Sequence, residues 1–204
     1  MKKETLFMKN LNKIFGFQPT GTKVQTGKLL VAEPFMPDYY FKRAVLLLAD
    51  YDNNEGSFGL IINKKTEYNI SEITSDFNNF DAEVYLGGPV QTDNLFYLHR
   101  RGDIIKDSLE ILPGVFWGGD FEQLVFLINE GIIHREDIRF YLGYAGWSPK
   151  QLDKELKEIS WLVTNVSSKE IFNAEPESLW QNSIKKLGHD FTHWLNFPVN
   201  PQLN

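Results

Sequence analysis

Residues 42–65 read KRAVLLLADYDNNEGSFGLIINKK, two aliphatic runs on either side of a cluster of turn formers. Asp, Asn and Gly tolerate or stabilise tight turns, so the stretch predicts a hairpin: a strand over 42–51, a turn at Asp52-Asn53-Asn54-Glu55-Gly56 and a strand over 58–65. The first arm is apolar at consecutive positions, not alternate ones. It therefore reads as a strand buried on both faces, near the middle of a sheet.

On the N-terminal side, LLVAEPF (29–35) reads as another strand. On the C-terminal side follow EVYLGG (83–88) and LFYLHR (95–100), then RFYLGYAGW (139–147) and WLVTNV (161–166). Three helices interleave with them. FEQLVFLINEG (121–131) has Asp120 as N-cap, Gln123 three residues on and Gly131 at its end. The next is expected to open with Ser148 as N-cap, Pro149 at the first helical position and Gln151 at the third, closing a capping box. The last starts at Pro176, buries Leu179, Trp180, Ile184 and Leu187, and stops at Gly188. Strands outnumber helices without a regular strand–helix rhythm, so the fold class is α+β (mixed α/β), with a strongly curved, largely antiparallel or mixed sheet flanked by helices. No internal repeat is visible. The chain divides into an amphipathic N-terminal extension (1–22), a core domain (23–166) and a C-terminal helical extension (167–204) expected to pack on the same domain.

The 204 residues are 42% hydrophobic, enough for one sizeable core. There are no cysteines, which removes disulfides, thiolate zinc sites, iron–sulfur ligation and cysteine nucleophiles. Lysine and arginine total 21 against 27 acids, a net charge of −6 that argues against non-specific grip on phosphate backbones. The longest aliphatic run, AVLLLA at 44–49, is far short of a membrane span. In the first 22 residues Lys2, Lys3, Lys9 and Lys13 face only Glu4, and Phe7, Leu11, Ile14 and Phe15 fall on one helical stripe. That stripe predicts a helix docking on the body or on a partner, with a membrane-surface anchor as the alternative. No apolar segment of a secretory signal follows the lysines, so the cytoplasm is the expected compartment.

Several motifs fail on spacing. The phosphate-binding loop, the dinucleotide-binding glycine pattern and the nucleophile elbow are all absent. Gly118-Gly119 leads into a helix N-terminus, yet Asp120 already occupies the cap and would repel an anion. His189 and His193 in HDFTH have the i, i+4 spacing of a zinc-binding pair, although Asp190 is shorter than the glutamate that chemistry uses and Gly188 precedes it. They are weak metal candidates. Arg100-Arg101, Lys64-Lys65 and Lys185-Lys186 read as solvated faces. Tryptophans stand at 117, 147, 161, 180 and 194; most belong in the core, and a minority could form an exposed contact patch.

Six ordered motifs carry a resemblance: GKLLVAEPFMPDYYFKRAVLLL (27–48), GSFGLIINK (56–64), EVYLGGPV (83–90), LFYLH (95–99), PGVFWGGD (113–120) and RFYLGYAGWSPKQLDKEL (139–156). Together they resemble the YqgE/AlgH family of small bacterial proteins over about 27–165. Lys65, Lys150 and Asp153 depart from that pattern at turn and surface positions. The resemblance implies a barrel-like sheet flanked by helices and an association with alginate regulation, often worded as transcriptional regulation. It brings no catalytic residues.

Polar residues inside the motifs that helix capping does not explain are Asp38, Arg43, Asn63 and His99, the expected polar lining of any ligand pocket. Asp38 could equally cap its own turn, Arg43 could pair with an acid across the sheet, and His99, at a strand end before Arg100, Arg101 and Gly102, reads as a rim residue before it reads as a general base. The expected function is a non-catalytic cytoplasmic regulatory or interaction protein with a protein or small-ligand partner. No cofactor, no membrane association and no direct hold on nucleic acid are expected. The alternatives are a small-ligand-binding protein, an enzyme using a carboxylate–histidine pair (Asp38 or Asp120 with His99), and a DNA-binding regulator.

Overall fold

The structure, a computed structural model, describes residues 21–198. The amphipathic stripe at Phe7–Phe15 lies outside the described residues.

The hairpin forms. β2 (Val45–Asp52) pairs antiparallel with β3 (Gly56–Ile61), and between them the Asp52 carboxylate accepts the N–H groups of Asn54 and Glu55 at 2.6 and 3.0 Å. β1 (Leu29–Ala32) lies against β2. As expected of a central strand, Val45 to Ala49 are all buried, with alternate residues feeding two different cores.

The predicted second arm stops short. β3 ends at Ile61 because Asn63 substitutes its side chain for backbone pairing: Oδ1 accepts from Val45 N–H at 2.7 Å and Nδ2 donates to the Arg43 carbonyl at 3.1 Å. The chain then turns off into β4 (Lys65–Asn69), a polar strand, and the one-turn α1 (Ile70–Ile73), capped reciprocally by Asn69 and Glu72.

The remaining strands are β5 (Glu83–Leu86), β6 (Val90–His99), β7 (Leu109–Leu112), β8 (Val115–Trp117), β9 (Ile138–Trp147) and β10 (Trp161–Thr164). Their order is β10-β1-β2-β3-β9-β6-β8-β7, antiparallel throughout, and β4 and β5 branch from β9. β9 is the seam. β6 runs along one of its edges, while the other edge is divided between β5, parallel beside 140–142, and β3, antiparallel beside 145–147. The mixed α+β class and the largely antiparallel sheet flanked by helices are as expected; the end strands β10 and β7 do not pair, so the sheet stays open and does not close into a barrel.

One face of the sheet carries a single core that runs from β1 to β9. It takes in Ile171 of α4 (Ser168–Asn173), Leu179, Trp180 and Ile184 of α5 (Pro176–Leu187), and Phe191 and Trp194 of a closing 3-10 helix (His189–Asn196). The opposite face is divided. Leu124, Leu127 and Ile128 of α2 (Phe121–Asn129) cover one part, and Leu152 of α3 (Gln151–Lys157) covers the other.

α5 begins at Pro176 and stops at Gly188 as the sequence predicts, and at α2 Asp120 accepts from Gln123 N–H at 3.0 Å and Gly131 takes φ +69°, but the other half of that capping box does not form, because Gln123 Oε1 accepts from Lys106 N–H at 2.8 Å instead. α3 is corrected. Lys150, at φ +65°, precedes the first helical residue, and only half of the Ser148–Gln151 box forms, Ser148 N–H donating to Gln151 Oε1 at 3.0 Å.

Three arginines seat the C-terminal segment, and among the described residues none of them does so through an ion pair. Arg100 donates to Asn173 Oδ1 and lies 4.6 Å over the Phe172 ring; Arg139 donates to the Phe172 carbonyl at 3.2 Å; Arg43 donates to the Phe197 carbonyl and lies 4.8 Å over the Trp180 ring. Guanidinium groups suit this use because their flat faces stack on aromatics while their N–H fork meets helix-end carbonyls.

Candidate functional site

The four polar residues expected to line a pocket separate into two places. Asp38, Arg43 and Asn63 sit around the approach to β2, and each is spent on local structure. Asp38 Oδ1 accepts the Tyr40 N–H at 2.8 Å, closing its turn. Arg43 holds a backbone carbonyl and an indole face, not an acid across the sheet. Asn63 ties off β3 as described.

His99 lies at the far end of β6 with no solvent exposure. Its Nδ1 accepts from Arg101 N–H at 3.1 Å, so the proton sits on Nε2, which faces the Gly118 carbonyl at 2.9 Å. Burial lowers its pKa from the ordinary histidine value. This is an internal histidine, not the rim residue that the sequence suggested, and both its nitrogens are engaged. None of the four lines either cavity described below.

His189 and His193 fall on the 3-10 helix. At three residues per turn, i and i+4 point about 120° apart and not to one side, so the zinc-pair geometry is lost. No cluster of three or more metal-ligating side chains occurs among the described residues.

One carboxylate near the β2 approach is unusual. Burial pushes the Glu33 carboxyl up to about 7 from 4.5, and it has no hydrogen bond among the described residues. The folded protein thus keeps a proton between about pH 4.5 and 7 that the unfolded chain releases, and stability falls as pH rises through that window. Glu33→Gln is expected to be about 2–3 kcal/mol more stable than the parent at pH 8 and equal to it near pH 4.5. Urea unfolding at the two pH values checks this.

A groove of about 660 Å³ opens where β3, β6, β8 and β9 converge. Its floor is a cycle of four half-buried rings. Phe58 meets Trp117 edge-on at 5.2 Å, Trp117 stacks on Phe96 at 5.5 Å with 20° between planes, Phe96 meets Tyr144 at 5.6 Å, and Tyr144 returns to Phe58 at 6.1 Å.

Backbone irregularity assembles the cycle. Along a regular strand Tyr144 would face away from Tyr141, yet both pack on the same core, because Gly143 at φ +69° breaks the alternation of β9 at the bulge where β6 carries extra residues between Val90 and Leu95, and turns Tyr144 over. Gly146, opposite Phe58 in the register, leaves room for the rings, since a Cβ there would lie 3.3 Å from the Tyr144 ring. The hairpin turn at Glu55-Gly56 and the Ser148-Pro149 segment flank the floor.

Of the lining residues only Glu55 carries formal charge. Neither the Trp117 indole N–H nor the Tyr144 hydroxyl is hydrogen-bonded to the described residues, so both remain to serve an occupant. Sequence reasoning named Trp117 only as one of five tryptophans and missed Phe58, Phe96 and Tyr144. The available signal was the pair of glycines around Tyr144 in GYAGW.

A second cavity, about 650 Å³, lies between β4, β5 and the start of β9. Three of its charged lining residues are already engaged: Glu83 pairs with Lys65 at 2.8 Å, which holds that carboxyl below its ordinary pKa, Asp81 accepts from Asn69 Nδ2, and Arg139 is committed to the C-terminal segment. The aromatic groove is therefore the stronger candidate.

The AlgH-like family model matches residues 29–192, running past the motifs into α4, α5 and the closing 3-10 helix. A UPF0301 protein of Chlorobaculum parvum is 44% identical over 89% of this chain and 96% of its own length. One from Cytophaga hutchinsonii is 41% identical over 87% of this chain and 98% of its own length. The solution structure of the AlgH protein from Pseudomonas aeruginosa aligns with a TM-score of 0.67 at 28% identity, over 89% of this chain and 98% of that one. The crystal structure of protein DIP2367 from Corynebacterium diphtheriae, with a TM-score of 0.70 at 17% identity over 89% of this chain and 96% of that one, shares the fold. With sequence similarity across nearly the whole described body, this chain belongs to the AlgH-like family.

Proposed function

We propose that this chain is a non-catalytic regulatory protein of the cytoplasm that works by binding, with the aromatic groove as its binding surface. The observation that carries the reading is the ring cycle itself: four large aromatic side chains left half in water beside an indole N–H and a phenol hydroxyl with no partner among the described residues. Aromatic rings are favoured anchors at binding surfaces because each brings a large apolar area at small rotamer cost.

The carboxylate–histidine enzyme loses support, since His99 is committed to two backbone bonds and has no exposure. Direct binding to DNA finds support neither in the net charge of −6 nor in a groove whose one charged residue is acidic.

Native mass spectrometry of the protein isolated gently from its own cells tests the reading, comparing the parent with a Trp117→Ala/Tyr144→Ala double variant. The expected result is a bound mass on the parent that the variant has lost. A parent that flies bare, or a bound mass that survives the double substitution, overturns it.

A further inference from the structure

The lining of the groove also narrows what it binds. We infer that its occupant is a small planar aromatic or heteroaromatic molecule, neutral or cationic and not anionic. This rests on the groove being the binding surface and adds the chemistry of the ligand.

Three observations converge. The stacked pair Phe96/Trp117, with planes 20° apart, together with the edges of Phe58 and Tyr144 makes an aromatic floor. The centroids are only 5.2–6.1 Å apart around the cycle, so the rings fill its middle and nothing can be caged between them. A ligand must therefore lie on the floor, which favours a flat one that meets the rings by stacking or by an edge.

Charge is the second constraint. Glu55 stands at the rim and no lysine or arginine lines the groove, so a carboxylate or phosphate would meet a like charge without a compensating cation. A cation over the same rings gains from their negative faces and from Glu55.

Size and hydrogen bonding complete the argument. A groove of about 660 Å³ is in the range of small-molecule sites, and its side-chain polar groups not already spent within the fold are few: the Trp117 indole N–H, the Tyr144 and Ser148 hydroxyls and the Glu55 carboxylate. Between them they both donate and accept, which suits ring nitrogens and exocyclic amino groups at a ligand's edge.

The test uses three flat probes of similar size and different charge, namely indole, benzamidinium and benzoate, titrated into the ¹⁵N-labelled full chain. The readouts are the Trp117 indole N–H resonance and the backbone amides of Phe58, Phe96 and Tyr144. Indole and benzamidinium are expected to shift these resonances, with benzoate at least about tenfold weaker. Glu55→Gln should remove most of the preference for benzamidinium over indole and leave indole binding unchanged. Phe96→Leu, which keeps an apolar side chain at that position, should weaken both about tenfold.

Benzoate binding as tightly as the other two would overturn the ligand class and leave the groove standing as a binding surface. If none of the probes moved these resonances, both the class and the groove reading would fall.

Discussion

Gly143→Ala is expected to destabilise the protein by about 3–5 kcal/mol and to dismantle the aromatic groove. Two costs add. The residue sits at φ +69°, where an L side chain meets its own carbonyl, a penalty of about 1–2 kcal/mol. A Cβ at this position would also lie 2.5 Å from the Gly88 carbonyl oxygen and 2.8 Å from that of Val90, backbone atoms that cannot swing aside as a side-chain tip can. Relief requires β9 to part from the Gly88–Val90 segment, which loosens the bulge that points Tyr144 into the groove.

Gly131 provides the control. It has the same φ of +69°, but a Cβ there meets nothing within 4 Å, so Gly131→Ala should cost only about 1 kcal/mol. Urea unfolding of the two variants separates conformational strain from steric overlap. Near-UV circular dichroism should change for Gly143→Ala and stay that of the parent for Gly131→Ala. Equal losses of stability in the two variants would refute the steric argument.

What the sequence reveals of this fold follows the range of the interactions involved. The β2–β3 hairpin, α2 and α5 are written locally, in AVLLLA, in the turn at 52–56, in Asp120 with Gln123, and in Pro176 with Gly188. Each signal is complete within a dozen residues. β4, β7 and β8 escape because KTEYN is polar and held by its partner β5, while LEIL and VFW are apolar but only four and three residues long, too short to stand out beside Pro113-Gly114 as strands.

The start of α3 was misplaced because Ser148 and Gln151 do meet, but through a backbone N–H of Ser148 and not its hydroxyl, a distinction composition cannot make. The candidate site was less legible still. Its rings come from four strands far apart in the chain, and period-two alternation applied to RFYLGYAGW puts Tyr144 on the wrong face. Only the left-handed Gly143 corrects it. His99 looked like a rim residue because a histidine before Arg100-Arg101 reads as a strand end. The pairing of β6 with β8 buries it instead.

The second large effect is expected at Glu155 on α3. Its Oε2 accepts two indole N–H groups, from Trp147 at the end of β9 and from Trp161 at the start of β10, each at 2.8 Å, while Gln151 Nε2 reaches Oε1 at 2.9 Å. Trp147 and Trp161 are 6% and 2% exposed, and their rings meet edge-on at 6.0 Å, so little water can replace a lost acceptor. One carboxylate thus joins a helix, the seam strand and an edge strand of the sheet.

Glu155→Ala leaves two buried N–H groups without a partner and should cost about 3–4 kcal/mol, since each bond to a charged acceptor contributes about 1.5–3 kcal/mol. Glu155→Gln keeps one oxygen within reach of both indoles and should cost about 1 kcal/mol. Urea unfolding gives the magnitudes, and the Trp147 and Trp161 indole resonances give the cause. Both should move toward exchange with water in the alanine variant and stay protected in the glutamine one. Because Trp147 also borders the aromatic groove, the alanine variant should weaken indole binding while the glutamine variant preserves it. That split separates a defect passed through the tryptophan from a loss of charge. If the two variants weaken indole equally, charge is the cause, and the path through Trp147 is wrong.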